Sequence, residues 1–195
     1  VNGLSVRLQQ VARQIPSGAT VLDVGCSDGQ LLAYLRDNKG VDGRGIELDP
    51  ERVARAVARG LSVVQGDATH DLAAFPSRSV DYAILSETLQ AMEAPHKVLA
   101  ELVRIGRRAV VAFPNFGHWR IRADLLLKGR MPVTRSLPIS WYETENIHFC
   151  TIDDFHALAD AMTLRIEDSA YLSGERPISA WPNLRADHAL FVLSR

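Results

Sequence analysis

The stretch Val21-Leu22-Asp23-Val24-Gly25-Cys26-Ser27-Asp28-Gly29-Gln30-Leu31-Leu32 limits what this chain can fold into more than any other. An apolar, β-branched run from Thr20 stops at glycine, and helical spacing begins again by Leu31. Strand, glycine turn and helix in that order predict a sheet whose turns bring bare backbone against a ligand at the strands' carboxyl ends.

The alternation continues along the chain. Residues 43–48 and 61–66 read as further strands. Between them lies a helix with Asp49 as its cap, Pro50 at its first position and Gly60 at its exit, burying Val53, Val57 and its alanines. A fourth strand over 80–86 leads to an amphipathic helix over 94–106 with Val98, Leu99, Leu102 and Val103 on one side, then a fifth strand over 107–114. The pattern breaks at 114–150, where prolines, glycines and aromatics predict an insert with one short helix near 118–128. Thr151 then caps a helix with Phe155, Leu158, Ala159 and Met162 inward, and 163–172 and 188–195 form an antiparallel strand pair at the sheet edge. The predicted fold is α/β: a doubly wound, mostly parallel seven-stranded sheet with an antiparallel edge, in one domain over 1–195.

The glycine turn narrows the ligand. A dinucleotide fingerprint counted from Gly25 needs glycine at 27 and 30, where Ser27 and Gln30 stand. A phosphate-cradling loop ending in Gly-Lys-Ser is absent from the sequence. What remains is an acid two residues before the first glycine. A carboxylate at the strand end suits an ammonium, and Gly25 and Gly29 let an amino-acid chain lie against backbone. Cys26 and Ser27 complete the turn, with Cys26 as a small filler. Glu47, ending the second strand, can accept both ribose hydroxyls. Asp67 can accept from an adenine amino group, the Ala68 N–H can meet the ring, and Leu48 can pack on its face. This is the layout of a site for S-adenosylmethionine (SAM). Any one acid at a strand end can equally be a turn or cap residue, and three at successive strand ends are the stronger signal.

These residues resemble the SAM-dependent methyltransferase fold, over 20–113 and, in outline, the last two strands. The carriers are Asp23 to Gly29, Glu47, Gly66-Asp67-Ala68 and the run DYAILSETLQAM over 81–92. Where that fold commonly has a middle glycine, Ser27 stands. The words FPNFGHWR (113–120), GRMPVT (129–134) and NIHFCTIDDF (146–155) are similar to the methionine biosynthesis protein MetW family. That resemblance implies SAM or its demethylated product, S-adenosylhomocysteine (SAH), as the cofactor. It also implies work alongside the homoserine O-acyltransferase, MetX. It implies a pathway more firmly than a chemistry, leaving an accessory protein, an active methyltransferase on a small molecule, and a shell without ligand as readings.

The insert offers Glu143 or His148 as a base beneath an aromatic lid. In the plainer reading Trp119 and Trp141 pack it. Its Arg120, Arg122, Lys128, Arg130 and Arg135, opposed only by Asp124 before Ser136, form either a solvated face or a surface for an acidic partner. His148 and Cys150 have no second ligand pair, so no metal is expected. A formal net charge of -1 gives no basic field for nucleic acid, and no run approaches the roughly 20 apolar residues that span a bilayer. Two cysteines and no signal layout lead to the expectation of a cytoplasmic protein.

Overall fold

The computed structural model describes residues 4–134 and 138–195. Its elements run α1 (Val6–Gln14), β1 (Thr20–Val24), α2 (Gln30–Lys39), β2 (Asp42–Glu47), α3 (Pro50–Ala58), β3 (Ser62–Gln65), α4 (Ala68–Asp71), β4 (Val80–Ser86) and α5 (Pro95–Ile105). They continue β5 (Gly106–Pro114), α6 (Trp119–Lys128), α7 (Ile152–Ala161), β6 (Arg165–Ser173), β7 (Arg176–Pro177), α8 (Pro182–Arg185) and β8 (His188–Ser194).

One sheet has the order β3-β2-β1-β4-β5-β8-β6-β7. The first five strands in that order pair in parallel, and β8 runs antiparallel to both β5 and β6. The mostly parallel sheet and its antiparallel edge are as expected. Among the described residues the strand count is eight rather than seven, because the turn-rich segment after β6 adds the two-residue β7. Between β1 and β4 the chain's winding changes direction. Ligands of doubly wound sheets bind outside the strand ends at such a point.

Local chemistry sets the helix ends. Asp49 caps α3 by accepting from the N–H groups of Glu51 (2.8 Å) and Arg52 (3.4 Å), with Pro50 at the first helical position. Thr151 and Asp154 cap α7 reciprocally. The buried face of α3 is narrower than expected: Ala56 is buried and Val53 packs on the core, whereas Val57 is exposed. The sequence reading also assigned no helix to α1, although Val11 and Ala12 are fully or almost fully buried.

Both faces of the sheet are covered. On one, Phe113, Phe155 and Phe191 stack with ring centroids 4.5–5.9 Å apart beneath α5 and α7. On the other, α1 and α2 bury Val11, Ile15, Leu31, Leu32 and Leu35. The central parallel strands β1, β4 and β5 are apolar through their buried stretches because neither side meets water there, whereas β2 starts with exposed Asp42 and edge strand β3 exposes Ser62, Val64 and Gln65. Phe155 is 2% exposed, so its truncation removes a large apolar ring and leaves a cavity. Phe155→Ala is expected to lower stability by about 3–5 kcal/mol, read as a shift of the denaturant midpoint with little change in slope.

Candidate functional site

The register of the parallel strands brings the predicted acids to one end of the sheet. Asp23 pairs with Gly45 and Val24 with Ile46, so Asp23 and Glu47 end neighbouring strands, both almost fully buried. The Gly25 and Cys26 N–H groups donate to the Ile46 carbonyl, which ties the turn to β2. The Ser27 N–H donates to Glu47 Oε2 at 2.7 Å, and the Asp49 N–H donates to Glu47 Oε1 at 3.1 Å. Ser27 has φ +53°, a left-handed conformation that disfavours a side chain. The turn therefore uses the conformation a middle glycine would supply, and Glu47 holds it there. Each Glu47 oxygen keeps a second lone pair for a ligand hydroxyl.

Gly25 is required by space. It has φ +71°, and a Cβ there would lie 2.7 Å from Thr88 Oγ1 in the loop after β4. That loop thus closes onto the glycine turn across the β1–β4 gap. Cys26 is buried above β2, where its Sγ would lie 2.5 Å from a Cβ on Gly45. Burial first, and then Asp23 and Glu47, push its thiol far above the ordinary range, which makes it an inert filler.

Two cavities meet at this turn. One, of about 590 Å³, is lined by Asp23, Gly25, Cys26, Ser27 and Asp28, by α1 around Arg7, and by Glu87, Glu175 and Asp187. The other, of about 610 Å³, is lined by Gly25, Ser27, Glu47, Leu48, Asp67 and Ala68, among others. Gly25, Ser27, Ser86 and Glu87 line both. Every predicted cofactor residue except Gly29 thus lines one cavity or the other. Gly29 instead caps α2 with φ +76°, against Leu61. Asp67 also caps α4, accepting from the Thr69 N–H at 2.8 Å, so it serves as cap and cavity wall together.

The walls are strongly acidic. Among the described residues, Asp23, Asp28, Glu87, Glu175 and Asp187 line the first cavity against Arg7 alone, and Glu47, Asp67, Glu87, Glu93 and Glu145 line the second against Arg52 alone. Burial, and then the Glu47 carboxylate beside it, push Asp23 up to about 7. No such field suits a phosphate, whereas a cation relieves it.

The structure separates the two candidate bases from this site. Glu143 is exposed and lines neither cavity, and His148 lines a small apolar pocket with Gln90, Pro95 and Cys150. Other insert residues do reach the second cavity: Glu145, Asn146 and Ile147. The Ile147 and His148 N–H groups both donate to the Gln90 carbonyl, at 2.8 and 3.0 Å, pinning the insert to the loop after β4. Trp119 and Trp141 pack the insert only in part: they are 49% and 69% exposed, and Trp141 shares a small pocket with Met131, Pro132, Ile139 and Phe149. Among the basic residues, Lys128 pairs with Asp124 at 2.7 Å and Arg120 lies over the Trp119 ring, while Arg135 lies outside the described residues. Among the described residues no group of three potential metal ligands occurs, and no helix is long and apolar enough to cross a membrane.

Sequence reasoning missed Glu87, which lines both cavities. Its carboxylate is held by His188 Nε2 on one oxygen and by Arg7 (3.3 Å) on the other. Its place just past β4, opposite the glycine turn, was the available signal. Arg7 and His188 gave none, lying 80 and 101 residues away in sequence.

Comparison with known proteins agrees with this fold. The family model for "Methionine biosynthesis protein MetW" matches residues 6–193. The bifunctional methionine biosynthesis protein MetXA/MetW of Rhodopirellula baltica is 34% identical over 98% of this chain and 33% of its own length. The ubiquinone biosynthesis O-methyltransferase of Xylella fastidiosa is 34% identical over 56% of this chain and 48% of its own. This chain therefore spans about a third and about half of those two relatives. A SAM-dependent methyltransferase of Mesorhizobium loti superposes with TM-score 0.73 at 17% identity, covering 98% of each chain, which shows the fold.

The raised Asp23 carboxyl has a measurable consequence. Between about pH 4 and 7 the folded state holds a proton at Asp23 that the unfolded chain has released, so this group's stabilisation is complete below pH 4 and is lost as pH rises to about 7. Asp23→Asn is expected to flatten that decline and to raise stability at pH 8 by roughly 2–4 kcal/mol, measured by urea unfolding across pH.

Proposed function

The chain belongs to the methionine biosynthesis protein MetW family, and from that premise we propose that it binds SAM across its two cavities and serves as an accessory protein of methionine synthesis, presenting its insert to a homoserine O-acyltransferase. The observation that carries the ligand is the pair of acidic cavities joined at Gly25 and Ser27. A nucleoside fits the Glu47–Asp67 side, and a cationic amino-acid arm fits the Asp23 side. SAM joins those parts and has no phosphate. Its ammonium favours an ionised Asp23.

The partner reading rests on the surface of the insert. Leu126, Leu127, Trp141 and Tyr142 are 69–84% exposed, and Val133, Ile139 and Ile147 are more than half exposed. Large exposed apolar side chains beside arginines are what interface centres use. The relative named MetXA/MetW carries both parts in one polypeptide, which supports their meeting here as separate chains. The second cavity's wall includes Glu145, Asn146 and Ile147, so ligand and partner share one segment, and occupancy can be reported to the acyltransferase.

A second reading, transfer of the SAM methyl to a small acceptor, is favoured by the size of the first cavity. An aminobutyrate arm of seven heavy atoms displaces roughly 200 Å³ even at a full water's volume of about 30 Å³ per atom, against about 590 Å³ present. Labelled methyl from SAM should then appear on a metabolite of a cell extract and be lost in Asp23→Ala.

Two measurements test the accessory reading. The variant Leu126→Asp/Leu127→Asp/Trp141→Asp is expected to lose co-purification with the acyltransferase while binding SAM as before; a persisting complex contradicts the docking surface. In calorimetry the acyltransferase should change the SAM affinity, and SAM the acyltransferase affinity, by one and the same factor. Independent binding contradicts the reporting role.

A further inference from the structure

We infer that Glu87 is the residue by which this site distinguishes a sulfonium from a thioether, an inference that rests on the SAM reading above. The sulfur of an adenosyl compound joins its nucleoside to its amino-acid arm. If those parts occupy the two cavities, the sulfur lies where the cavities meet. Among the described residues four line both, namely Gly25, Ser27, Ser86 and Glu87. Glu87 is the ionisable one, so the charge that sets SAM apart from SAH faces this carboxylate.

The surroundings hold Glu87 for that task. Its φ is +61°, a backbone conformation rare for a residue with a side chain and imposed by its neighbours. The Thr88 side chain beside it is seated against Gly25. One carboxylate oxygen is held by His188, which is 1% exposed, and the other by Arg7 of α1. Burial pushes the Glu87 carboxyl up, but hydrogen bonding and charge from His188, and then Arg7, reverse this and hold it below its ordinary value. The carboxylate is thus ionised at neutral pH, with its side chain 35% exposed toward the cavities. Asp187 on the first cavity's wall adds negative charge, as Asp23 does once it ionises above about 7, and Arg7 and His188 oppose it. Ser86 Oγ and Asp187 Oδ1, buried on that wall without a hydrogen-bond partner among the described residues, leave polar capacity for a ligand.

SAM and SAH differ by one methyl group and one charge, so their affinity ratio isolates the electrostatic part of recognition. The test is calorimetry of the wild type, Glu87→Gln and Arg7→Gln with SAM, SAH and an adenosyl analogue bearing an amine-substituted carbon in place of the methylsulfonium. Glu87→Gln is expected to lower the SAM-to-SAH affinity ratio about tenfold. SAH should change by less than about twofold, and the amine analogue should weaken alongside SAM. Arg7→Gln lies on a surface helix and serves even if Glu87→Gln fails to fold. It should raise the ratio, because it removes one of the two cationic partners of Glu87 while His188 stays. A ratio within about twofold of wild type in a folded variant of either residue overturns the inference while leaving the SAM reading intact. A wild type that binds none of the three compounds overturns both.

Discussion

Two carboxylates buried on adjacent strand ends, Asp23 and Glu47, are the constraint around which this site is arranged. Parallel pairing of β1 and β2 forces them together, and no basic side chain lies between them. Glu47 is satisfied by two backbone N–H groups, one of which fixes Ser27 in its left-handed turn. Asp23 is left with burial and a like-charged neighbour, and its carboxyl responds by holding its proton up to about 7. A bound cation supplies what the protein withholds, so the same pair that costs stability without a ligand favours a positively charged one.

Much of this was legible because it is local. The strand–turn–helix at 20–35, the Asp49-Pro50 start of α3 and the Thr151 cap of α7 are written in short words whose chemistry acts within a few residues. The acids at three strand ends were readable because parallel strands of one sheet end on the same side. The rest depends on long-range pairing. Glu87 meets Arg7 and His188 only through tertiary structure. For α1 the signal was present and unused: Leu4, Leu8, Val11, Ala12 and Ile15 recur at helical spacing behind the Ser5 cap. The extra strand β7 is two residues long, below what periodicity can register. The insert reads in sequence as either lid or docking face, and its Trp119 and Trp141 are only partly packed, each leaving about half or more of its surface to solvent.

The exposed insert and the two cavities are not separate devices. Gln90 sits between them: its carbonyl accepts two N–H groups from the insert, and its side-chain amide donates to the Glu87 carbonyl at 2.6 Å. A change at the cavity junction is therefore one residue away from the segment that returns from the docking face. If the chain works as proposed, this contact is the physical route from ligand occupancy to partner binding, whether or not a methyl group is ever transferred.

Calorimetry of the purified chain against SAM and against a nicotinamide dinucleotide, at neutral pH and matched salt, tests the account most directly. A cationic, phosphate-free ligand should bind and the dinucleotide should give no heat, because the walls carry carboxylates where a pyrophosphate needs donors. Silence with SAM at millimolar concentration, or tighter binding of the dinucleotide, contradicts it.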